Sequence, residues 1–582
     1  MKFAFKPIAI AAALAFIGTA AVASPMKPGT YTAKVNGHNA PLTVEVTVDA
    51  NKILSIKTPD DQESLGVGKV GLKKTADNIL RYQSIGVDAV TGATFSSNAL
   101  KEGVEKCLKQ AGADMKQFTR KAEKHPIHNR TYQADVVVIG GGGAGLASAI
   151  SSMQAGAKKV IVLEKLGYVG GSTNVSEGAL NAVDDQRQKA QGIKDSYETF
   201  YETTMHGGHD KGDPTLVRFL TSHSMDAVNW LESLGVKFND HIGAATGSLG
   251  QRSHYPATPY GNTYIRTFEK VIADSNGKIQ VLLDTPAVKL IQNKSGRVVG
   301  VVGNNFGSKV TVMAKDGVII ATGGFGANVA YRQKVNTGVW KNIKLDNSIG
   351  CTNIQKAAQG QGLFLAQKVG AKLIGLSDIQ IHPCGTPGTG LMENIRTSGR
   401  NRIFVNSDGN RFVNEGAARD VLANAIFQQK GRTYWIVVNK LRYPTPDFKD
   451  RMGASIRNME ALGAVVEAPT LDELAKKTGM NAENLKKAIA DYNAVVSGKA
   501  KDKLGFVANN KDDKQMTEGP WYACRKVPTV HHTMGGIKIN VKSQVINTKG
   551  KVIPGLYAVG EVTGGIHGSN RLGGNAIADI MT

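Results

Sequence analysis

Apolar positions along this chain change their rhythm, and the changes divide it into units. Tyr31-Thr32-Ala33-Lys34-Val35 and Leu42-Thr43-Val44-Glu45-Val46-Thr47-Val48 alternate as half-buried strands do, and a helical stretch follows from about Ser97 to Gln110. Residues 24–113 therefore read as a small α+β unit. Residues 114–132, with Lys116, Arg120, Lys121, Lys124, His125 and His128, read as an exposed basic linker. Beyond it, Ala134-Asp135-Val136-Val137-Val138-Ile139 is almost continuously apolar, the pattern of a strand covered on both faces. It runs into Gly140-Gly141-Gly142-Gly143-Ala144-Gly145, a small-residue helix from Leu146 to Ala155, and a second strand, Val160–Leu163, ending at Glu164.

That order of strand, glycine turn, helix, strand and acid is a dinucleotide-binding fingerprint in its required context. Gly140, Gly142 and Gly145 permit the turn and the close approach of a pyrophosphate to the helix N-terminus, and Glu164 suits ribose hydroxyls. Further glycine clusters follow at Gly170-Gly171-Ser172-Thr173, at Gly178, at Thr322-Gly323-Gly324 and at Gly560-Glu561. A cofactor embraced by such distant segments is FAD rather than NAD.

Composition narrows the field. With 582 residues the chain exceeds what one core supports, so several domains are expected. Glycine, at 67 residues, stands above the average of about 7% and fits many tight turns and ligand approaches. The formal charge of +23 is spread along the chain with no Arg-rich tract, which points to an anionic small substrate or an acidic protein partner rather than nucleic acid. Lys2 and Lys6, an apolar run from Ile8 to Ile17 and Ala21-Val22-Ala23 form an export signal, so cleavage after Ala23 and a periplasmic location are expected, with no later membrane span. Cys107, Cys351, Cys384 and Cys524 have neither metal-site nor disulfide-scaffold spacing. No C-x-x-C-H occurs, so c-type haem is not attached to this chain and electrons must come from an external donor.

Asp88-Ala89-Val90-Thr91-Gly92-Ala93-Thr94-Phe95-Ser96 resembles the covalent flavinylation site of FMN-binding domains, which implies FMN joined to Thr94 through a phosphoester by a flavin transferase. From Ala134 onward the chain resembles the flavoprotein subunit of the fumarate reductase/succinate dehydrogenase superfamily, closest to its soluble periplasmic fumarate and urocanate reductases. The segments that carry the resemblance are Gln380-Ile381-His382-Pro383, Asn410–Glu415 with Arg419-Asp420, His531-His532-Thr533-Met534-Gly535-Gly536, and Glu561–Gly565 continuing to Asn570–Ala576. The resemblance implies an α/β FAD-binding domain of Rossmann-like, glutathione-reductase type with an inserted α+β capping domain. The implied divisions are 1–23 signal peptide, 24–113 FMN domain, 114–132 linker, 133–382 and 529–582 FAD domain, and 383–528 cap.

It further implies that His382, His531 and Arg571 hold substrate carboxylate, that Arg419 protonates the substrate, and that Glu393 and Arg396 supply Arg419 with protons. Gly171, Ser172, Thr173, Gly178, Thr322, Gly323, Gly324, Glu561, Gly574, Asn575, Ala576 and Ile577 join the fingerprint as the expected FAD contacts, and FAD is expected to be non-covalent because no histidine accompanies Ser172-Thr173. Two departures bear on substrate. Cys384 and Met392 stand where fumarate reductases usually carry threonine, and Glu177 stands where they carry a small neutral residue. An extra carboxylate and a lost hydroxyl disfavour a second substrate carboxylate. Urocanate would suit Glu177, and an acrylate- or cinnamate-like tail would suit Met392. The expected activity is reduction of an unsaturated carboxylate as a respiratory electron acceptor, with a cytochrome or membrane quinol dehydrogenase as donor. A flavin oxidase or dehydrogenase working in reverse, and a bare electron carrier, are the competing classes. The chain ends at Thr582, where relatives are expected to continue with a helix.

Overall fold

The computed structural model describes residues 25–122, 126–258, 260–450, 452–508 and 512–582. The expected export signal, Ala23 included, lies outside the described residues, as do Lys124 and His125 of the basic segment.

The N-terminal unit is a three-stranded antiparallel sheet, Gly29–Asn36, Pro41–Val48 and Ile53–Lys57, with the middle strand central. Leu42, Val44, Val46 and Val48 alternate inward, and helices Gly68–Tyr82 and Thr94–Gln110 cover them. The second helix crosses the sheet closely at Gly103, where a Cβ would come within 2.4 Å of Val44. The unit reaches past the expected boundary: residues Met115–Phe118 form a helical turn whose Phe118 is buried in the same core, and the Ile85 N–H donates to the Phe118 carbonyl. One aromatic side chain thus draws the start of the expected linker into the domain.

The main sheet places five parallel strands in the order Val552–Ala558, Ser308–Ile320, Arg130–Ile139, Val160–Leu163 and Ile279–Leu282. Every residue of Val160–Leu163 is buried, as its unbroken apolar run requires. Helix Gly143–Gln154 makes the crossover between the third and fourth of these strands, and its glycines and alanines let it lie close to the sheet. Ala558, Ile320, Ile139 and Leu163 share one row of the ladder with Leu282, so four strands and the edge strand beside them end side by side. In an open α/β sheet this carboxyl edge is where ligands bind.

A second sheet joins Ile379–Gly385, Trp521–Thr533, Tyr434–Asn439, Arg402–Val405 and Val465–Ala468. It is packed by helices Arg419–Phe427, Ile456–Ala461, Leu471–Thr478 and Ala482–Val496, with Thr470 and Asn481 capping the last two. Its first two strands form an antiparallel ribbon leading back to the main sheet. No helix among the described residues is long and apolar enough to cross a membrane.

Candidate active site

The cleft begins where the four strands end. Gly142 precedes the helix as its N-cap, and a Cβ there would meet no atom within 4 Å. Gly323 is equally open, with φ +70°, so both backbones face free space that a ligand would fill. Gly145 serves packing instead, since its Cβ would sit 1.9 Å from the Gly140 carbonyl oxygen. Glu164 accepts the Gly141 N–H at 2.6 Å and the Leu166 N–H at 2.7 Å, and burial pushes its carboxyl above the usual range. Thr322 leaves a buried Oγ1 without a partner. Helix N–H groups for phosphates, a fixed acid for ribose hydroxyls and an orphaned hydroxyl together fit FAD.

Gly140, Gly142, Glu164, Gly171, Ser172, Thr173, Thr322, Gly323, Gly324 and Glu561 border this cleft. Gly178, Gly574, Ala576 and Ile577 border the chamber that continues from it. The Asn575 side chain is held within the protein. Its Oδ1 accepts from Asn181 at 2.8 Å and its amide donates to Thr204 at 3.2 Å, which ties the C-terminal helix to the body of the domain.

The chamber gathers His382, Arg419, His531, His532, Arg571, Glu177 and Met392, residues from both sheets and the loops between. Arg419 opens helix Arg419–Phe427. Its Nε donates to the Thr246 carbonyl at 2.9 Å and its Nη1 to Gln380 Oε1 at 3.0 Å. Gln380 also donates to Asn570 at 2.8 Å and to the Arg571 carbonyl at 2.6 Å, so one amide joins the loops of both arginines. Gln380 lies two residues from His382 on the same strand, a spacing that puts both on one face.

His382 accepts the Cys384 N–H at Nδ1, 3.1 Å away, so its neutral ring carries hydrogen on Nε2 as a donor. Burial and the charges of Arg419 and Arg571 hold its pKa well below the histidine range, which keeps it neutral. His531 Nδ1 lies 2.6 Å from the Thr352 hydroxyl. In the ribbon Gln380 pairs with His532 and Ile381 with Val530, so His531 is the extra residue of a β-bulge. Such a bulge re-aims side chains, and two consecutive histidines border the same chamber. His532 is buried with Nε2 unpartnered.

Electrostatics marks the chamber as an anion site. Burial and the Arg571 charge depress the pKa of Arg419 well below the ordinary value, and burial lowers Arg571 to about 10. Arg571 spends Nη1 on the Leu572 carbonyl and leaves Nε buried without a partner. Among the ion pairs of the described residues, none supplies a carboxylate to either guanidinium. Buried charges are ordinarily paired, so the two guanidiniums form an arrangement that can accept an incoming acid group.

Glu393 and Arg396 are not paired with each other. Glu393 Oε1 lies 3.0 Å from His38 Nε2 of the N-terminal unit, whereas Arg396 Nη1 lies 3.8 Å from Glu177 Oε1. Ser398 donates to the same Glu177 oxygen at 3.0 Å, so the added acid is tied to the second sheet's loops. The Arg396 charge is stabilised by Glu177 against the cost of burial.

Thr94 is exposed at the first turn of helix Thr94–Gln110, and Phe95 beside it is 65% exposed. Val90 and Ala93 of this loop pack on Leu166, Tyr168 and Ile354 of the main domain. Leu166 also lines the dinucleotide cleft, so the loop lies against the cleft wall.

Residues 135–577 match the FAD binding domain family and residues 37–109 the FMN-binding domain family. Urocanate reductase of Eggerthella lenta is 34% identical, with 95% of this chain and 90% of that protein aligned. The chain belongs to the fumarate and urocanate reductase family of flavoproteins. Fumarate reductase (cytochrome) of Shewanella frigidimarina is 38% identical over 77% of this chain and 75% of its own. NADH:acrylate oxidoreductase of Vibrio harveyi is 34% identical over 95% of this chain, which spans only 60% of that protein's length. Among solved structures, the open conformation of a flavocytochrome c3 fumarate reductase superposes with a TM-score of 0.62 at 33% identity, covering 80% of this chain and 81% of its own. As a member of this family the protein is an oxidoreductase with an FAD-binding fold and an N-terminal FMN-binding domain.

Proposed function

We propose that this enzyme reduces the C=C bond of an α,β-unsaturated carboxylate, of fumarate or urocanate type, as a terminal electron acceptor in the periplasm. The observation that carries this reading is the buried pair Arg419 and Arg571, which among the described residues bond only uncharged oxygens, while His532 Nε2 and Arg571 Nε find no partner there. Bound FAD would supply a hydride at its N5 position. Arg571, His531 and His532 grip the substrate carboxylate and stabilise the negative charge that grows beside it as the β-carbon is attacked. Neutral His382 donates through Nε2 to a second acceptor on the substrate. Arg419 delivers the proton to the α-carbon; its depressed pKa makes that role chemically reasonable for an arginine. Thr246 and Gln380 fix its guanidinium for the transfer, and the second sheet closes the chamber against water.

FMN on Thr94 would relay electrons from an external cytochrome or quinol dehydrogenase to FAD. The exposed hydroxyl suits attachment by a flavin transferase, and the packing of its loop on Leu166 and Tyr168 suits short-range transfer. A second reading, an apolar-tailed enoate such as acrylate, methacrylate or cinnamate, is favoured by Met392 in the chamber wall. Enzyme reduced with a viologen dye and offered fumarate, urocanate, acrylate and cinnamates tests both. Oxidation of the dye by fumarate or urocanate supports the first reading, and by apolar-tailed acids alone the second. Rapid reoxidation by oxygen with none of the acids would make it an oxidase.

A further inference from the structure

We propose that His38, on the N-terminal FMN domain, is the solvent-side proton donor to Glu393 and thereby a positioning residue for the reaction in the neighbouring domain. This rests on the reading above of Arg419 as proton donor, together with the role that the family resemblance implies for Glu393, of supplying Arg419 with protons. The contact that the family pattern leads one to expect at Glu393 is an arginine three residues on, and here that arginine is engaged with Glu177 instead. His38 occupies the vacated role, from another domain.

The geometry holds His38 as an imidazolium. Its Nε2 faces Glu393 Oε1 at 3.0 Å as an ion-pair contact and its Nδ1 lies 3.0 Å from Asn39 Oδ1, so both ring nitrogens face oxygens. Both nitrogens can donate only when the ring is protonated. Burial by itself would lower the pKa of His38; the Glu393 carboxylate, with Asn39 and Glu63, outweighs it and raises the value to about 9. The charged groups around the pair are few. Glu63 accepts the backbone N–H of His38 at 2.6 Å and of Asn39 at 3.1 Å, and the Lys526 ammonium bonds the Glu393 carbonyl.

Both side chains are 27% exposed, so the imidazole can be reloaded from solvent while it touches a carboxylate at the edge of the protein interior. The contact is not aligned as a hydrogen bond, and a small rotation of either side chain aligns it for transfer. The step moves one proton from His38 Nε2 to Glu393 Oε1, leaving neutral imidazole and neutral carboxylic acid. On the premise taken above, Glu393 then returns that proton to Arg419, which has given its own to the substrate carbon, and His38 takes another from water. The loop is also tied to the FMN attachment turn, because Glu63 Oε2 accepts the Ser96 hydroxyl at 2.5 Å and His38 packs edge-on to Phe95, 5.5 Å between centroids.

The test uses full-length, flavin-loaded enzyme reduced by viologen, and steady-state kinetics with the preferred enoate across pH 6–10. In the wild type, kcat is expected to fall above an apparent pKa near 9, as His38 loses its proton. His38→Gln is expected to lower kcat by about 10- to 100-fold with KM unchanged and to remove that limb. Added imidazole should restore much of the rate in His38→Ala. Asn458→Ala serves as the docking control, since it breaks another contact between the same two bodies, Asn458 to Gln62 at 2.7 Å, and leaves His38 in place. Equal damage from Asn458→Ala, or a normal rate and pH profile in His38→Gln, overturns the proposal. Glu393→Gln separates it from its premise: if that variant is fully active, the proton route through Glu393 fails, whereas a slow Glu393→Gln beside a normal His38→Gln leaves the route standing and removes His38 from it.

Discussion

Arg419 donates through Nε to the carbonyl of Thr246 at 2.9 Å, a contact that fastens the helix of one sheet's layer to a loop of the other across the chamber. It fixes the orientation of a guanidinium that, among the described residues, forms no ion pair with a carboxylate. Arg419→Ala is expected to cut enoate reduction by about three orders of magnitude while leaving dithionite reduction of the flavins untouched. Stopped-flow traces of flavin bleaching and reoxidation separate the two.

Arg571 holds its charge at a cost, as its pKa of about 10 records. Arg571→Met is expected to lower kcat/KM by about 10- to 100-fold, from the loss of charge-assisted hydrogen bonds of about 1.5–3 kcal/mol. FAD content, read from the absorbance of the purified protein, should stay unchanged. A loss of FAD would mean that this arginine serves the cofactor instead.

Thr94 is exposed, while Val90 and Ala93 of the same loop are buried against the main domain. Thr94→Ala is expected to yield protein with one flavin per chain instead of two, none surviving acid precipitation. Mass spectrometry of the intact chain reads the missing FMN directly. Viologen-driven turnover should persist where reduction through the natural donor does not.

Asp184 sets a stability limit at low pH. It lies 3.0 Å from both the His254 Nε2 and an Arg187 nitrogen and accepts the Gln186 and Arg187 N–H groups. Burial opposes its ionisation, but these donors win and lower its pKa to about 2. A carboxylate depressed in the folded state contributes stability above its ordinary pKa, near 4, and loses it as pH falls through about 2. Asp184→Asn should therefore cost about 2 kcal/mol at pH 7, and the gap should narrow between pH 4 and pH 2. Urea unfolding at both ends of that range measures it.

What the chain discloses about itself is local chemistry. Val160–Leu163 is legible because every position is buried, and Gly142 and Glu164 because a phosphate turn needs those residues in that spacing. Helix Gly68–Tyr82 escapes a pattern reading. Its inward face is Gly68, Gly71, Leu72, Thr75 and Ile79, and its N-cap residue is Val67, with the Gly68 N–H taken by Ser64 four residues earlier, so it lacks both an apolar stripe and the usual start signal. Gln380 stands inside a recognised motif, yet its service to both arginines depends on Asn570 and Arg419 arriving from other elements. The partners of Glu393 and Arg396 are set by domain docking, to which spacing along a helix or strand is blind. Asn575, expected at the cofactor from its motif, also binds Asn181 through its side chain, a contact made across almost four hundred residues that no local pattern announces.

The ribbon formed by Ile379–Gly385 and Trp521–Thr533 carries His382 on one strand and His531 and His532 on the other. It is also the path by which the chain leaves and re-enters the main sheet. Any bending of it would therefore move all three imidazole rings together. On the reading proposed above, entry and release of an acid ligand share that one movement.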